Sequence, residues 1–157
     1  MPGRTADNVY AVGALVERAD AVALIIDADR ARADGAEAAA LAASVVDRAR
    51  PDSIAFAFAT AREQARRARG MLGADVREAL DATRARMPRK VVPDKLHEFL
   101  TWTRERAALV TGIVEASAAR DDTYHLFTLG RASTRALVTV RTLAERAPTA
   151  IEPGDAA

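Results

Sequence analysis

Apolar residues recur along most of the chain at alternating spacings of three and four, the period of a helix that buries one face. No stretch longer than a few residues alternates with the period of two that marks a strand. The pattern therefore predicts an all-α, single-domain bundle of five to six helices. In the first helix the predicted core stripe is Val9, Val12, Val16, Ala19, Ala23 and Ile26.

Prolines, glycines and capping residues divide the pattern into separate helices. The last helix has several apolar residues available for the core: Phe127, Leu129, Ala132, Ala136, Val140 and Leu143. Residues 148–157 carry two prolines and a glycine, so we expect a flexible tail behind a bundle formed by residues 1–147. The helices are predicted at about 5–33, 37–48, 53–69, 76–87, 93–119 and 121–146.

A segment near the start of the chain returns, altered, near its end. Residues 8–20 align with residues 125–137, and Gly13 then falls on Gly130. A glycine in the middle of a helix costs about 1 kcal/mol relative to alanine, so it usually has a packing reason. We expect the first and last helices to be pseudo-symmetric and to lie against each other. The same alignment pairs Tyr10 with Phe127 and Arg18 with Arg135.

Two carboxylates, Glu17 and Asp20, lie on a second stripe that flanks the core stripe of the first helix. One turn apart, they could share a proton or a metal ion, or pair with arginines. Because an unpaired buried carboxylate is costly, Glu17 is expected to have a partner. Two interpretations remain open, a structural ion-pair network and a polar pocket that binds a small ligand or a partner's side chain. The candidate partners of Glu17 are Arg62, Arg66, Arg120 and Arg135.

The amino-acid composition argues against several classes of function. The 23 basic and 22 acidic residues nearly balance, which argues against a nucleic-acid binder. The absence of cysteine excludes disulfides, cysteine-ligated zinc, iron–sulfur clusters and a thiol nucleophile. Only 4% of residues are aromatic, so the core must consist mainly of small aliphatic side chains that let helices approach closely. Without a signal peptide or a membrane-spanning segment, the expectation is a cytoplasmic protein with no membrane partner.

Other candidate features each have two interpretations. The arginine-rich third helix, with Arg62, Glu63 and Arg66, could bind phosphate or an acidic partner, or form a solvated helix face. Trp102 with Phe99 could anchor an interface or belong to the core.

Two Asp-x-x-His pairs, at 94–97 and 122–125, could contribute to a di-metal bundle, although an aspartate in a first helical turn more simply complements the helix dipole. No nucleophile–base pair or phosphate loop has a recognisable spacing. Catalytic residues therefore stay unassigned, and no metal ligand or cofactor is predicted.

Three segments resemble the alpha-E domain proteins, bacterial all-helical proteins named in part for a characteristic glutamate. Residues 6–20, which include Glu17-Arg18, are similar to the opening signature of that family. Residues 51–66 resemble its middle helix, and residues 120–131 its final helix. This chain is shorter than a typical member. The family usually has tryptophan where Ala11 and Tyr124 stand, arginine where Ala14 stands, and glutamate where Thr134 stands.

The resemblance implies a context of peptide or amide-bond synthesis and modification. Similar proteins are encoded with, or fused to, ATP-grasp-like ligases and transglutaminase-like proteins. The leading hypothesis is an accessory, non-catalytic module that binds such a ligase or its peptide substrate, and a homodimer is a further expectation. The alternatives are an enzyme whose pocket uses Glu17, Asp121 and arginines on an amide or phosphate-bearing substrate, and a carboxylate/His di-metal bundle. The candidate site residues are Tyr10, Glu17, Arg18, Asp20, Arg62, Glu63, Arg66, Arg120, Asp121 and Arg135.

Overall fold

The computed structural model describes residues 2–117 and 121–147 of the chain. This part of the chain is all-α, forms one domain and contains no strand, as the hydrophobic pattern predicts. A short 3-10 turn at Pro93–Lys95 precedes the fifth helix. The predicted tail, 148–157, lies outside the described residues. The described residues form six helices: α1 (Pro2–Arg30), α2 (Gly35–Val46), α3 (Ile54–Arg67), α4 (Ala74–Arg86), α5 (Leu96–Ser117) and α6 (Asp122–Arg146).

Side-chain caps set the start of α2, α3 and α6. Ser53 begins α3 by accepting a hydrogen bond from the backbone N–H of Phe56 at 3.0 Å. Asp34 and Glu37 form a capping box at the start of α2. Asp34 therefore serves as the N-cap of the helix that follows it.

The core is built around α1, which packs against α3 and α5. Five of the six predicted stripe residues of α1 are buried, and Ile26 is partly buried. The neighbouring helices contribute larger side chains, among them Phe58 of α3 and Leu100 of α5. Alanine and valine dominate the α1 side of this interface, which permits the close helix approach that the composition predicts.

The first and last helices meet backbone to backbone at two glycines. A Cβ atom at Gly13 would overlap the carbonyl oxygen of Phe127, and one at Gly130 would overlap the carbonyl oxygen of Tyr10. The two contacts exchange when Gly13 is swapped with Gly130 and Tyr10 with Phe127. This reciprocity confirms the predicted pseudo-symmetry. Contacts farther along advance in the same direction in both helices, so α1 and α6 are parallel.

The outer face of α6 differs from the prediction. Phe127 is buried, but Leu129, Val140 and Leu143 are 54%, 64% and 65% exposed. Placing these three residues in the core was wrong, and Ala132 and Ala136, also expected there, are exposed as well. The physical reason is that α6 packs mainly against α1, through the glycine side of the helix, and the described residues supply no second helix for the opposite side.

Candidate polar site between the first, fifth and last helices

Glu17 is the most buried charged residue of the bundle, with 4% of its surface exposed. Its Oε1 atom accepts a hydrogen bond from Arg135 Nε at 2.6 Å, and its Oε2 atom accepts one from Arg131 Nε at 3.1 Å. The two arginines are four residues apart on α6, so their guanidinium groups reach the same side of the helix. Each carboxylate oxygen thus holds one guanidinium group, and the carboxylate raises the pKa of Arg135 above its usual value.

Two further ion pairs surround this clamp. Arg131 lies 3.5 Å from Glu115 of α5, and Arg104 of α5 donates to Asp20 of α1 at 3.3 Å. The cluster therefore joins α1, α5 and α6 with three carboxylates and three guanidinium groups, so its formal charge is balanced. A balanced, hydrogen-bonded cluster satisfies groups that would be costly to bury alone.

Two clefts open beside the cluster. One, of about 440 Å³, lies between α1 and α5 and includes Glu17, Asp20, Thr111 and Glu115 in its wall. The other, of about 490 Å³, lies between α1 and α6, and apolar side chains such as Leu24 extend it away from the charges. Glu17, Asp20 and Arg104 border both clefts. A ligand in either cleft would meet guanidinium donors at one end and aliphatic surface at the other.

The third helix does not take part in this cluster. Arg62 donates to Asp81 of α4, and Arg66 lies 3.7 Å from the same carboxylate. Glu63 accepts from Arg67 one turn along α3 at 3.2 Å. The prediction that Arg62 or Arg66 pairs with Glu17 was wrong, because the adjacent helix α4 offers them a closer carboxylate.

The other candidate residues surround the cluster without joining it. Arg18 is exposed and makes no ion pair with another described residue, whereas Tyr10 is 37% exposed and uses its backbone at the Gly130 contact. Asp121 caps α6 by accepting from the backbone N–H of Tyr124 at 3.1 Å. It stands about 15–20 Å along the helix from the arginines of the clamp, since each residue rises 1.5 Å. The pocket with both Glu17 and Asp121 was therefore a wrong prediction, and Arg120 lies outside the described residues.

The two Asp-x-x-His pairs do not meet. His97 lies near the far end of α1, with Nδ1 2.9 Å from Asp27 Oδ1, whereas His125 lies in the first turn of α6. Since α6 is parallel to α1, about 25–30 Å of helix separates the two imidazoles. Hydrogen bonds from His97 and Arg30 lower the pKa of Asp27 below its usual value. Within residues 2–117 and 121–147, no three carboxylate or histidine side chains are arranged to hold a metal ion.

Sequence reasoning missed three members of the cluster: Arg131, Arg104 and Glu115. Helical spacing could have found Arg131, since it lies one turn before Arg135 on the same face. Nothing in the sequence indicates that α5 lies antiparallel to α1 in the register that brings Arg104 to Asp20. Trp102 is partly buried and stacks on Phe99 with ring centroids 5.7 Å apart, away from the cluster.

None of the helices in the described segments is long and apolar enough to cross a membrane. No curated protein and no solved structure gives a significant match to the chain. The Alpha-E family, a predicted alpha-helical domain with a conserved ER motif, matches residues 27–155. The match includes two of the three segments that resemble the family in sequence, 51–66 and 120–131. It begins after Glu17-Arg18. Within the matched residues, Glu-Arg occurs at 105–106 and 145–146. Because the match spans well over half of its length, the chain belongs to the Alpha-E family.

Proposed function

We propose that this protein is an accessory, non-catalytic helical module that acts with an ATP-grasp-type ligase in peptide or amide-bond synthesis or modification. Its partner is the ligase itself or a transglutaminase-like protein of the same system, and its compartment is the cytoplasm. Membership of the Alpha-E family supports the fold side of this proposal. The resemblance to proteins that accompany such ligases supplies the partner class.

One observation carries the non-catalytic part of the proposal. The side chain of Glu17 is 5% exposed, and both of its oxygens already accept hydrogen bonds from guanidinium groups. A nucleophile or general base has to reach the substrate within hydrogen-bond distance. Glu17 instead ties three helices together, so its role in the proposal is to hold the surface that a partner recognises.

A second candidate function is an enzyme that acts on an amide or phosphate-bearing substrate. The observation in its favour is that Arg104 and Arg135 border the larger cleft with side chains 52% and 63% exposed. Guanidinium groups with free donors bind carboxylate or phosphate oxygens. Asp121 is not part of this version, because it caps α6 at a distance from the cleft.

Affinity capture from the native host tests the leading proposal. The intact protein, tagged and expressed at its native level, is expected to retain an ATP-grasp-type ligase, and ATP-dependent ADP release by that ligase is expected to rise when the protein is added. A capture that retains no ligase-like or transglutaminase-like protein, in repeated preparations, contradicts the proposal.

The same preparation separates the two candidates. The purified protein alone, offered peptides with ATP, should release neither ADP nor a modified peptide if it is an accessory module. Turnover that is present in the protein alone, and is lost in Arg104→Ala while the helical circular dichroism signal is retained, would establish the enzyme instead.

A further inference from the structure

The outer face of α6 is the largest group of exposed apolar side chains on the described part of the molecule. Four large hydrophobic residues of this helix are at least half exposed: Leu129, Leu137, Val140 and Leu143, at 54%, 50%, 64% and 65%. Apolar residues scattered singly on a surface are normal, whereas a contiguous patch marks an interaction site. We call this patch the outer face of α6.

The pseudo-symmetry shows what kind of surface it is. The offset that maps Gly13 onto Gly130 also maps the core stripe of α1 onto a stripe of α6. On α1 the stripe is covered by α3 and α5, but on α6 no described helix covers it. The outer face of α6 therefore has the same spacing of apolar residues as the stripe by which α1 packs against its neighbours. The corresponding residues are Leu126, Leu129, Ser133, Ala136, Val140 and Leu143.

The stripe is also complementary to itself. Leu129 and Leu143 each lie seven residues, two helical turns, from Ala136. The small side chains of Ala136 and Ser133 occupy the centre, where two helix backbones could approach closely. An antiparallel crossing on a two-fold axis at Ala136 would place Leu129 of one copy beside Leu143 of the other. No charged residue lies on the stripe, so this pairing buries no unpaired charge.

We propose that the outer face of α6 is the interface of a homodimer, in which two copies pack their α6 helices antiparallel about a two-fold axis near Ala136. With 25 residues, α6 is about 37 Å long, and its outer face is about 10 Å wide. The two faces together bury about 700 Å², which is below the roughly 1,200 Å² of a stable complex, so the dimer is weak and dissociates on dilution. This interface contains none of the charged residues of the Glu17 cluster, although Leu143 also borders the cleft between α1 and α6, and it does not depend on the proposed function.

The first test measures molecular mass in solution by light scattering or sedimentation, from about 5 µM to about 500 µM, where interfaces of this size assemble. The intact protein is expected to shift from monomer to dimer across this range, and Ala136→Glu is expected to shift the midpoint at least about tenfold upward. Leu109→Glu is the matched control, because Leu109 is 42% exposed on α5 and lies away from the interface. A protein that stays monomeric throughout, or an Ala136→Glu variant that dimerises like Leu109→Glu, overturns the proposal.

The second test uses cross-linking, since the chain contains no cysteine. Ala136→Cys should form a disulfide-linked dimer under mild oxidation. Leu129→Cys and Leu143→Cys should each form little linked dimer alone, but a mixture of the two should link. Efficient linking of Leu129→Cys alone would indicate a parallel pair and overturn the antiparallel arrangement, and linking of Leu109→Cys as fast as Ala136→Cys would show collision without an interface.

Discussion

At the scale of single residues, Glu17 is the side chain that links α1 to α6 and, through Arg131, to α5. It is buried on α1 and accepts hydrogen bonds from both arginines of the clamp on α6. One of these, Arg131, also contacts Glu115 of α5. Arg131 is 22% exposed and Arg135 63% exposed at the side chain, so the two ends of the clamp differ in their access to water. Removing the carboxylate would leave the less exposed guanidinium, that of Arg131, with Glu115 at 3.5 Å as its remaining partner.

Glu17→Gln is expected to lower the free energy of unfolding by about 1–3 kcal/mol. The amide keeps the shape of the side chain but brings N–H donors toward two guanidinium donors, and it removes the charge that both arginines need. The cost stays below that of a fully buried pair because Arg135 can be rehydrated. Urea unfolding at neutral pH measures the change.

Glu63→Gln is the matched control for this measurement. Glu63 pairs with Arg67 on the surface of α3, with side chains 52% and 59% exposed. Surface ion pairs of this kind contribute about 0–1 kcal/mol. If Glu17→Gln changed stability no more than Glu63→Gln, the buried clamp would not be a main source of stability in this protein.

The contact between α1 and the start of α5 predicts a dependence on pH. The folded-state pKa of Asp27 is lowered by His97 and Arg30, so its contribution to stability is present above its unfolded pKa of about 4 and is lost as the pH falls through the folded value. Stability differences between the intact protein and Asp27→Asn should therefore be largest above about pH 4 and shrink at lower pH. Chemical denaturation between neutral pH and acid measures this, and a difference that is independent of pH would contradict the assignment.

Part of the polar site could be predicted from sequence at this scale. Glu17 lies on a stripe beside the core stripe, so a buried carboxylate with an arginine partner follows from helical periodicity, and Arg135 was among the candidates. The choice among four arginines depended on which helices are neighbours. Periodicity reports the face of a helix but not the helix opposite, and this is why Arg62 and Arg66 were candidates although they pair with Asp81.

At the scale of helices, the glycines of α1 and α6 control how closely the two helices approach. Gly13→Ala is expected to lower the free energy of unfolding by about 1–3 kcal/mol, because the new methyl group overlaps the backbone of Phe127 and backbone cannot move aside cheaply. The loss would exceed the gain in helix propensity of about 1 kcal/mol. Thermal and urea unfolding of the variant measure the balance.

Gly112 offers a matched control within another helix. It lies in α5 with open space where a Cβ would stand, so Gly112→Ala should stabilise the protein by up to about 1 kcal/mol. Opposite signs for the two glycine-to-alanine changes would show that helix contact, and not glycine itself, decides the effect. The same sign for both would contradict the close backbone approach at Gly13.

The sequence predicted where each helix begins and ends better than it predicted which other helices pack against it. Six helices appear close to their predicted bounds, because proline, glycine and capping residues mark the ends locally. The outer face of α6 was assigned to the core because its stripe has the same period as that of α1. An amphipathic pattern shows that a helix can be covered on one side, but it does not count the helices available to cover it.

At the scale of the whole molecule, the pseudo-two-fold relates the Glu17 clamp to an image that is incomplete. The image needs a carboxylate at position 134 and guanidinium groups at positions 14 and 18. This chain has Thr134, Ala14 and Arg18 there. Of the three required residues only Arg18 is present, and it is exposed without an ion-pair partner among the described residues. The backbone contacts of α1 and α6 are thus pseudo-symmetric, whereas their charged residues are not.

Thr134→Glu is expected to restore one pair of the image, with the new carboxylate facing Arg18. Because the site is more exposed than that of Glu17, the gain in stability should be about 0.5 kcal/mol, and it should disappear when Arg18 is also changed to glutamine. A double-mutant cycle followed by urea unfolding measures the coupling. A coupling of zero would indicate that the pseudo-symmetry extends only to the glycine contacts.

The contact between the first and last helices also determines the order in which parts of the protein can fold during translation. Arg135 follows its partner Glu17 by 118 positions, so α1 leaves the ribosome long before its neighbour has been translated. Until then α1 can pack against α3 and α5, but the surface around Gly13 is exposed to solvent and the carboxylate of Glu17 stays hydrated. The clamp on Glu17 is therefore expected to assemble last, and a chain stalled before α6 would have the packing of α1 against α3 and α5 but neither Phe127 in the core nor the two arginines of the clamp.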